Sequence, residues 1–187
     1  MAQPSDGAAV PGEDPAGGTR FSLRMPHAED GPRVSRLIAA SPPLDVNSSY
    51  CNLLQCTDFR DTCVVAERGD TLVGWVSAYR PPRSPEKIFV WQVAVDPSVR
   101  GEGLAQTMLD ALVARPAAAG VTTLTTTITE DNEASWALFR AFARRRGATL
   151  TRSRRFEREA HFAGAHETEC EVRIAPLPSQ SNQYGAS

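Results

Sequence analysis

The chain has 187 residues, 22 acidic against 20 basic for a formal net charge of −2, and 41% of it is hydrophobic. That length predicts one domain, the charge balance argues against a nucleic-acid partner, and the apolar share argues against a wholly disordered chain. No run of eighteen apolar residues predicts a membrane span, and the first residues lack the basic start and apolar stretch of a secretory signal, so a cytoplasmic protein with no membrane partner is expected.

Residues 1–20 are mostly Ala, Gly and Pro and are expected to form a disordered tail. Residues 176–187 read the same way, leaving 21–175 as the folded body. Within it, Phe21–Met25 predicts a strand. Glu29, Asp30 and Pro32 open a helix with Val34, Leu37 and Ile38 on one face, ended by Pro42-Pro43. Asp45–Phe59 predicts a second helix. Thr62–Glu67 and Thr71–Tyr79 predict a hairpin about Arg68-Gly69-Asp70. After a proline-rich loop, Lys87–Val95 is nearly all apolar and reads as a central strand covered on both faces. Gly103–Ala114 predicts a helix and Thr122–Thr129 a strand. Asp131–Gly147 predicts a helix with Ala134, Leu138 and Phe142 inward and Gly147 as its stop. Two strands, at about 153–162 and 167–174, complete an α/β chain whose sheet must mix parallel and antiparallel pairs.

Four cysteines (Cys51, Cys56, Cys63 and Cys170) include no Cys-x-x-Cys pair, and there are three histidines. Reduced, mostly buried thiols and no structural metal are expected.

The segment with most chemistry follows the buried strand. In Asp96–Ala105 a turn and two glycines lead into a helix, whose first N–H groups lack partners and carry partial positive charge. Such a loop can cradle a pyrophosphate. It lacks the Lys-Ser/Thr pair of a Walker loop and the third small residue of the dinucleotide fingerprint, and a tight turn would need the same glycines.

Arg100-Gly101-Glu102-Gly103-Leu104-Ala105 resembles the R/Q-x-x-G-x-G/A motif of the GNAT superfamily of N-acetyltransferases, its defining positions falling on Arg100, Gly103 and Ala105. Val93-Ala94-Val95 resembles the family strand whose backbone pairs with pantetheine. Asp131-Asn132, Ser135 and Leu138-Phe139 resemble the second helix on the coenzyme side. The resemblance implies a GNAT fold: a mixed central sheet, flanked by helices, whose fourth strand bulges and splays from the fifth. It implies acetyl-CoA as co-substrate, no metal, and coenzyme contacts from Val93, Ala94, Val95, Arg100, Gly101, Glu102, Gly103, Leu104, Ala105, Asn132 and Ser135. It also implies direct attack by an amine, with a strand N–H near Gln92–Val93 polarising the carbonyl, and no cysteine nucleophile. Phe139 stands where many members carry a Tyr that protonates the departing thiolate, and Phe has no proton to give.

A narrower resemblance lies outside that loop. Arg24-Met25-Pro26, Glu29-Asp30-Gly31, Pro42-Pro43-Leu44-Asp45, Asn47-Ser48, Tyr50, Phe59, Thr62–Glu67, Val76–Tyr79, Phe89–Val95, His166-Glu167 and Glu169 are similar to the L-2,4-diaminobutyrate acetyltransferases of ectoine biosynthesis, a response to osmotic stress. This implies acetylation of the γ-amine of a small diamino acid, with a homodimer as an option. The substrate has two ammonium groups and one carboxylate. Asp45 and Glu169 are the expected acids, Glu169 counting with Gln92 and Val93 among the groups at the reaction. Asn47 and Tyr50 supply hydrogen bonds, Trp91 a wall facing a cation, and His166 completes the set.

Each residue has a plainer reading. Asp45, Asn47 or Ser48 could cap the second helix, Tyr50 and Trp91 could be core, and the alternating Glu167, Glu169 and Glu171 could be a solvated strand face. His166 and Glu169 have opposite strand parity, so they share a site only if His166 lies in the preceding loop or a bulge intervenes. The arginines from Arg140 to Arg158 could reach the coenzyme 3′-phosphate or complement a helix end. An acetyltransferase for another amine or a peptide N-terminus, and a silent coenzyme-binding module, are the alternatives.

Overall fold

A computed structural model describes residues 21–177. The tail expected at 1–20 and residues 178–187 of the tail expected at the other end lie outside the described residues. Of that second tail, Leu177 is buried and its N–H donates to Thr122 O at 2.8 Å.

The elements are β1 (Ser22–Arg24), α1 (Gly31–Ala39), α2 (Ser49–Cys56), β2 (Val64–Arg68), β3 (Thr71–Tyr79), β4 (Lys87–Val95), α3 (Leu104–Ala114), β5 (Thr123–Thr129), α4 (Glu133–Arg145), β6 (Thr149–Phe156), α5 (Arg158–Phe162) and β7 (Glu169–Ala175). The strands form one seven-stranded sheet in the order β1-β2-β3-β4-β5-β7-β6. Every neighbouring pair is antiparallel except β4 and β5, which run parallel. The expected mixed α/β sheet is present.

Each face of the sheet carries a core. On one, α1 and α2 bury Val34, Leu37, Ile38 and Cys56 against Val65, Leu72, Trp75 and Ala94. On the other, Leu104, Met108, Leu109 and Leu112 of α3 and Trp136, Phe139 and Phe142 of α4 pack on Val64, Val76, Ile88 and Val90. The inward face of α4 therefore differs from the expected Ala134–Leu138–Phe142 stripe. Ala134 is exposed, because the bulkier aromatics at 136, 139 and 142 bury more apolar surface in the same two turns. Gly74 lets α3 approach the sheet: a Cβ there would stand 2.8 Å from Met108 Sδ and 2.9 Å from Ala66 Cβ.

Two further boundaries depart from expectation. The second helix starts at Ser49, and Ser48 caps it by accepting from Cys51 N–H at 3.1 Å, so Asp45 is free of that duty. The strand expected over 153–162 is instead β6, ending at Phe156, followed by the short helix α5. His161 Nδ1 accepts the Glu157 N–H at 2.9 Å, and Ala163 in the left-handed region ends the turn; these local bonds replace strand pairing.

Two irregularities of β4 open the sheet. Ser77 pairs with Gln92 and Ala78 with Val90, so Trp91 is the extra residue of a bulge. Before it, even-numbered Ile88 and Val90 face the α3/α4 core; after it, odd-numbered Val93 and Val95 pack there while Ala94 faces α1/α2. One inserted residue thus reverses the alternation. On its other edge, β4 pairs with β5 only from Lys87↔Thr123 to Phe89↔Thr125. Beyond that the two strands diverge, as the family resemblance implied.

Candidate active site

The divergence of β4 and β5 leaves a cleft of about 450 Å³. Its floor is Val90–Val93 of β4 and Thr126–Thr129 of β5. Pro43–Asp45 form one rim, Gly164–Glu167 the other, and Asn132, Ser135 and Phe139 of the α4 region close the end. Of the residues singled out in the sequence, Asp45, Trp91, Gln92, Val93, Asn132, Ser135, His166 and Glu169 all border this one space.

Gln92 N–H donates to Ser77 Oγ at 3.2 Å, and Asp96 N–H to Val73 O at 2.9 Å, so both amides face β3. Successive amides of a strand face opposite edges. Those of Val93 and Val95 therefore face the gap that β5 has left. Of the two residues expected to supply the polarising N–H, Gln92 has its amide committed to β3 and Val93 does not. Trp91 is 48% exposed, so it walls the cleft instead of filling a core.

His166 precedes β7, in the loop that satisfies the parity condition. Its Nε2 lies 3.4 Å from Asp45 Oδ2 and 4.0 Å from Glu169 Oε1, and its ring leans on Phe162 with centroids 4.8 Å apart. Glu169 is partly buried and Oε2 has no hydrogen-bond partner. Burial raises its pKa above the ordinary carboxylate value, against the opposing pull of the neighbouring Thr127 hydroxyl and of His166. Among the alternating glutamates, Glu171 instead pairs with Arg155 at 3.1 Å and Glu167 with Arg158.

Asn47 does not border the cleft; it donates to Gln92 Oε1 at 2.8 Å. Tyr50 lies on α2, 70% exposed, and does not line the cleft. Thr127, which no motif in the sequence picks out, borders the cleft, and so does Arg158 of the arginine cluster. The threonine-rich β5 offered a signal, since its alternate residues had to face an opening if β4 left it.

The loop before α3 stands apart from the cleft lining. Gly101 and Gly103 have φ of 79° and 81°, in the left-handed region, with nothing within 4 Å of where a Cβ would be. Gly103 caps α3 without any side-chain bond, leaving the first amides of the helix for a ligand. Arg68 pairs with Glu102 at 2.5 Å, offsetting the acid that stands between the two glycines, and Arg100 Nε donates to Val95 O at 3.2 Å. Leu104 is buried and Ala105 follows it in the first turn. Asn132 caps α4 by accepting from Ser135 N–H at 3.1 Å. Open space, free amides and glycine backbones fit a pyrophosphate-bearing ligand running from α3 towards the β4 edge. Within the arginine cluster, Arg145 and Arg146 are turned to Asp110, at 2.9 and 2.7 Å.

Cys56 and Cys63 are buried and their thiols are pushed up to about 12 by desolvation; burial also raises Cys51. Protonated thiols at neutral pH are poor nucleophiles. No group of three metal-ligating side chains occurs among the described residues, nor any helix long and apolar enough to cross a membrane.

The acetyltransferase (GNAT) family model matches residues 32–143. The L-2,4-diaminobutyric acid acetyltransferase of Methylotuvimicrobium alcaliphilum is 49% identical over 84% of this chain and 91% of its own length. That of Vibrio cholerae is 49% identical over 85% of this chain and 91% of its own. Among solved structures, diaminobutyrate acetyltransferase EctA from Paenibacillus lautus, in complex with L-2,4-diaminobutyric acid and coenzyme A, superposes with a TM-score of 0.82 at 40% identity, covering 88% of this chain and 100% of that one. Ard1 of Thermoplasma volcanium, at 15% identity and a TM-score of 0.67 over 85% of this chain and 99% of its own, shares the fold. By model match, identity and fold together, the chain belongs to the acetyltransferase (GNAT) family and, within it, to the L-2,4-diaminobutyric acid acetyltransferases.

Proposed function

We propose that the protein transfers the acetyl group of acetyl-CoA to the γ-amine of L-2,4-diaminobutyrate, giving the N4-acetyl product used in ectoine biosynthesis. The observation that carries the reading is the 40%-identical relative holding both diaminobutyric acid and coenzyme A in the same fold. The cleft supports it chemically: Asp45 and Glu169 offer carboxylates for a substrate with two ammonium groups, and Trp91 offers an aromatic wall.

The α3 amides and the backbones of Gly101 and Gly103 hold the pyrophosphate, and β4 from Val93 to Val95 aligns the pantetheine arm in the gap beside β5. The coenzyme supplies an acetyl thioester, whose carbonyl is the electrophile. Val93 N–H, fixed by the strand and without a β5 partner, stabilises the oxygen as it gains charge. The neutral γ-nitrogen forms the new C–N bond. Glu169, made more basic by its burial, accepts the proton that the nitrogen releases. The C–S bond breaks and the sulfur leaves as thiolate; Phe139, at the end of the cleft, has no proton for it. Four free thiols fit a reducing cytoplasm as the place of work.

The test is kcat/KM across a panel of diaminobutyrate, ornithine, 1,3-diaminopropane and a peptide N-terminus with acetyl-CoA. Diaminobutyrate should lead. A peptide or a plain diamine leading would move the protein to another substrate class.

A further inference from the structure

One line of side chains links the first rim of the cleft to its floor. Gln92 is 5% exposed and its Nε2 donates to the backbone carbonyl of Asp45 at 2.8 Å. Its Oε1 accepts from Asn47 Nδ2 at 2.8 Å. Asn47 Nδ2 also reaches Asn52 Oδ1 at 3.2 Å, and Asn52 Nδ2 donates to Ser35 Oγ at 2.8 Å. The polarity of the line is set from one end. A carbonyl can only accept, so the atom of Gln92 facing Asp45 must be its NH₂. Its oxygen must then face Asn47, whose NH₂ must point back, and so on to Ser35.

The geometry points to Gln92 and Asn47 as positioning residues that clamp the Pro43–Asn47 segment, and with it the Asp45 carboxylate, onto the strand carrying Val93. This rests on the reading of Asp45 as a substrate carboxylate. It gives Gln92 and Asn47 a role other than contact with substrate. Two features support it. The segment has no regular secondary structure, and besides Gln92 it is held by Leu44, which packs on the α1/α2 core and donates its N–H to Ser41 O at 3.1 Å. The bulge at Trp91 is what turns Gln92 to this face: without the extra residue its side chain would point into the α3/α4 core. The same irregularity that presents Trp91 to the cleft thus supplies the clamp for the opposite rim.

The clamp is tested on the full chain with Gln92→Met, Asn47→Ala and Gln92→Glu. Gln92→Met keeps the volume and removes the bonds. It should raise KM for diaminobutyrate about tenfold with kcat changed less, on the usual worth of two lost hydrogen bonds. Coenzyme A affinity by calorimetry should stay within about twofold, since the α3 loop is untouched. Hydrogen exchange of residues 43–47 should quicken in both Gln92→Met and Asn47→Ala. Gln92→Glu gives the readout that packing alone would not. Its protonated acid can donate to Asp45 O and accept from Asn47, as the amide does; its carboxylate cannot. The ratio of its KM to that of the wild type should therefore grow as pH rises from 6 to 9. Unchanged exchange and KM in both Gln92→Met and Asn47→Ala would overturn the clamp, as would loss of coenzyme affinity in step with KM. The exchange measurement needs no substrate, so it stands even if diaminobutyrate proves the wrong amine. Should Gln92→Met fail to fold, Asn47→Ala removes the same link from its half-exposed side.

Discussion

His166 and Asp45 meet across the mouth of the cleft, Nε2 to Oδ2 at 3.4 Å. The other ring nitrogen, Nδ1, lies 2.8 Å from the Glu167 carbonyl, so Nδ1 carries a hydrogen and Nε2 is left to answer to Asp45 and, at 4.0 Å, Glu169. The hydrogen bond to that carbonyl is the largest influence holding the His166 pKa above its ordinary value, and the two carboxylates add to it. Protonated, the imidazole competes with substrate ammonium for both acids; neutral, its lone pair can accept from the substrate.

The expectation is that KM for diaminobutyrate falls as pH is raised from about 6 and His166 gives up its proton. His166→Phe should flatten that slope. The raised pKa also means that the histidine's contribution to stability is present below its unfolded value and lost as pH rises through the folded one. Parallel KM profiles for variant and wild type would remove His166 from substrate binding.

A second prediction concerns acid stability. The Arg24 guanidinium holds Asp30 at 2.6 and 2.8 Å and Glu67 at 2.8 and 3.0 Å, and Arg33 bonds both acids. Burial alone would raise Asp30, but the bonds from Arg24 and the His27 amide prevail and its pKa is lowered; Arg24 likewise lowers Glu67. Depressed carboxylate values stabilise the fold above about pH 4, the unfolded range, and that stability is lost as pH falls through the folded values. Asp30→Asn, which leaves Arg24 half-paired, should cost about 2 kcal/mol or more at neutral pH. It should also weaken the acid dependence of Tm; an unchanged Tm at pH 7 would show the network to be without weight.

Gly103→Ala should leave the fold standing and weaken coenzyme A binding. Its φ of 81° costs a side-chain-bearing residue about 1 kcal/mol, and relaxing that strain moves the α3 amides. Calorimetry with coenzyme A reads the effect; unaltered affinity would place the pyrophosphate elsewhere.

The thiols should be chemically silent. With Cys56 and Cys63 pushed up to about 12, a short treatment with a haloacetamide at pH 7 should leave both unmodified and acetyl transfer intact. An acetylated cysteine that passes its acetyl group to the amine would replace direct attack by a two-step route.

Much of this was legible in the sequence because the signals were local. The hairpin at Gly69, the helix opening after Gly103 and the apolar run of β4 each announce themselves within a dozen residues. The joining of Asp45, Trp91, His166 and Glu169 in one cleft followed from resemblance, since nothing local to any of them points at the others. What stayed hidden depended on long-range pairing. The resemblance implies a bulge in β4, but its place at Trp91 is visible only through β3, and that place decides that Gln92 turns to Asn47 and that its amide is spent on Ser77. The α5 turn is hidden in the sequence because Phe156–Phe162 has no strong helical period, and a bond from the Glu157 N–H to the His161 ring holds it.

The position of acetylation tests the account most directly. Wild-type protein given acetyl-CoA and L-2,4-diaminobutyrate should release one coenzyme thiol per acetyl group transferred. NMR of the product should place that group on the γ-nitrogen alone, with Glu169→Gln slowing the transfer sharply. Acetylation on the α-nitrogen, or no thiol release with this substrate while another amine reacts, would contradict it.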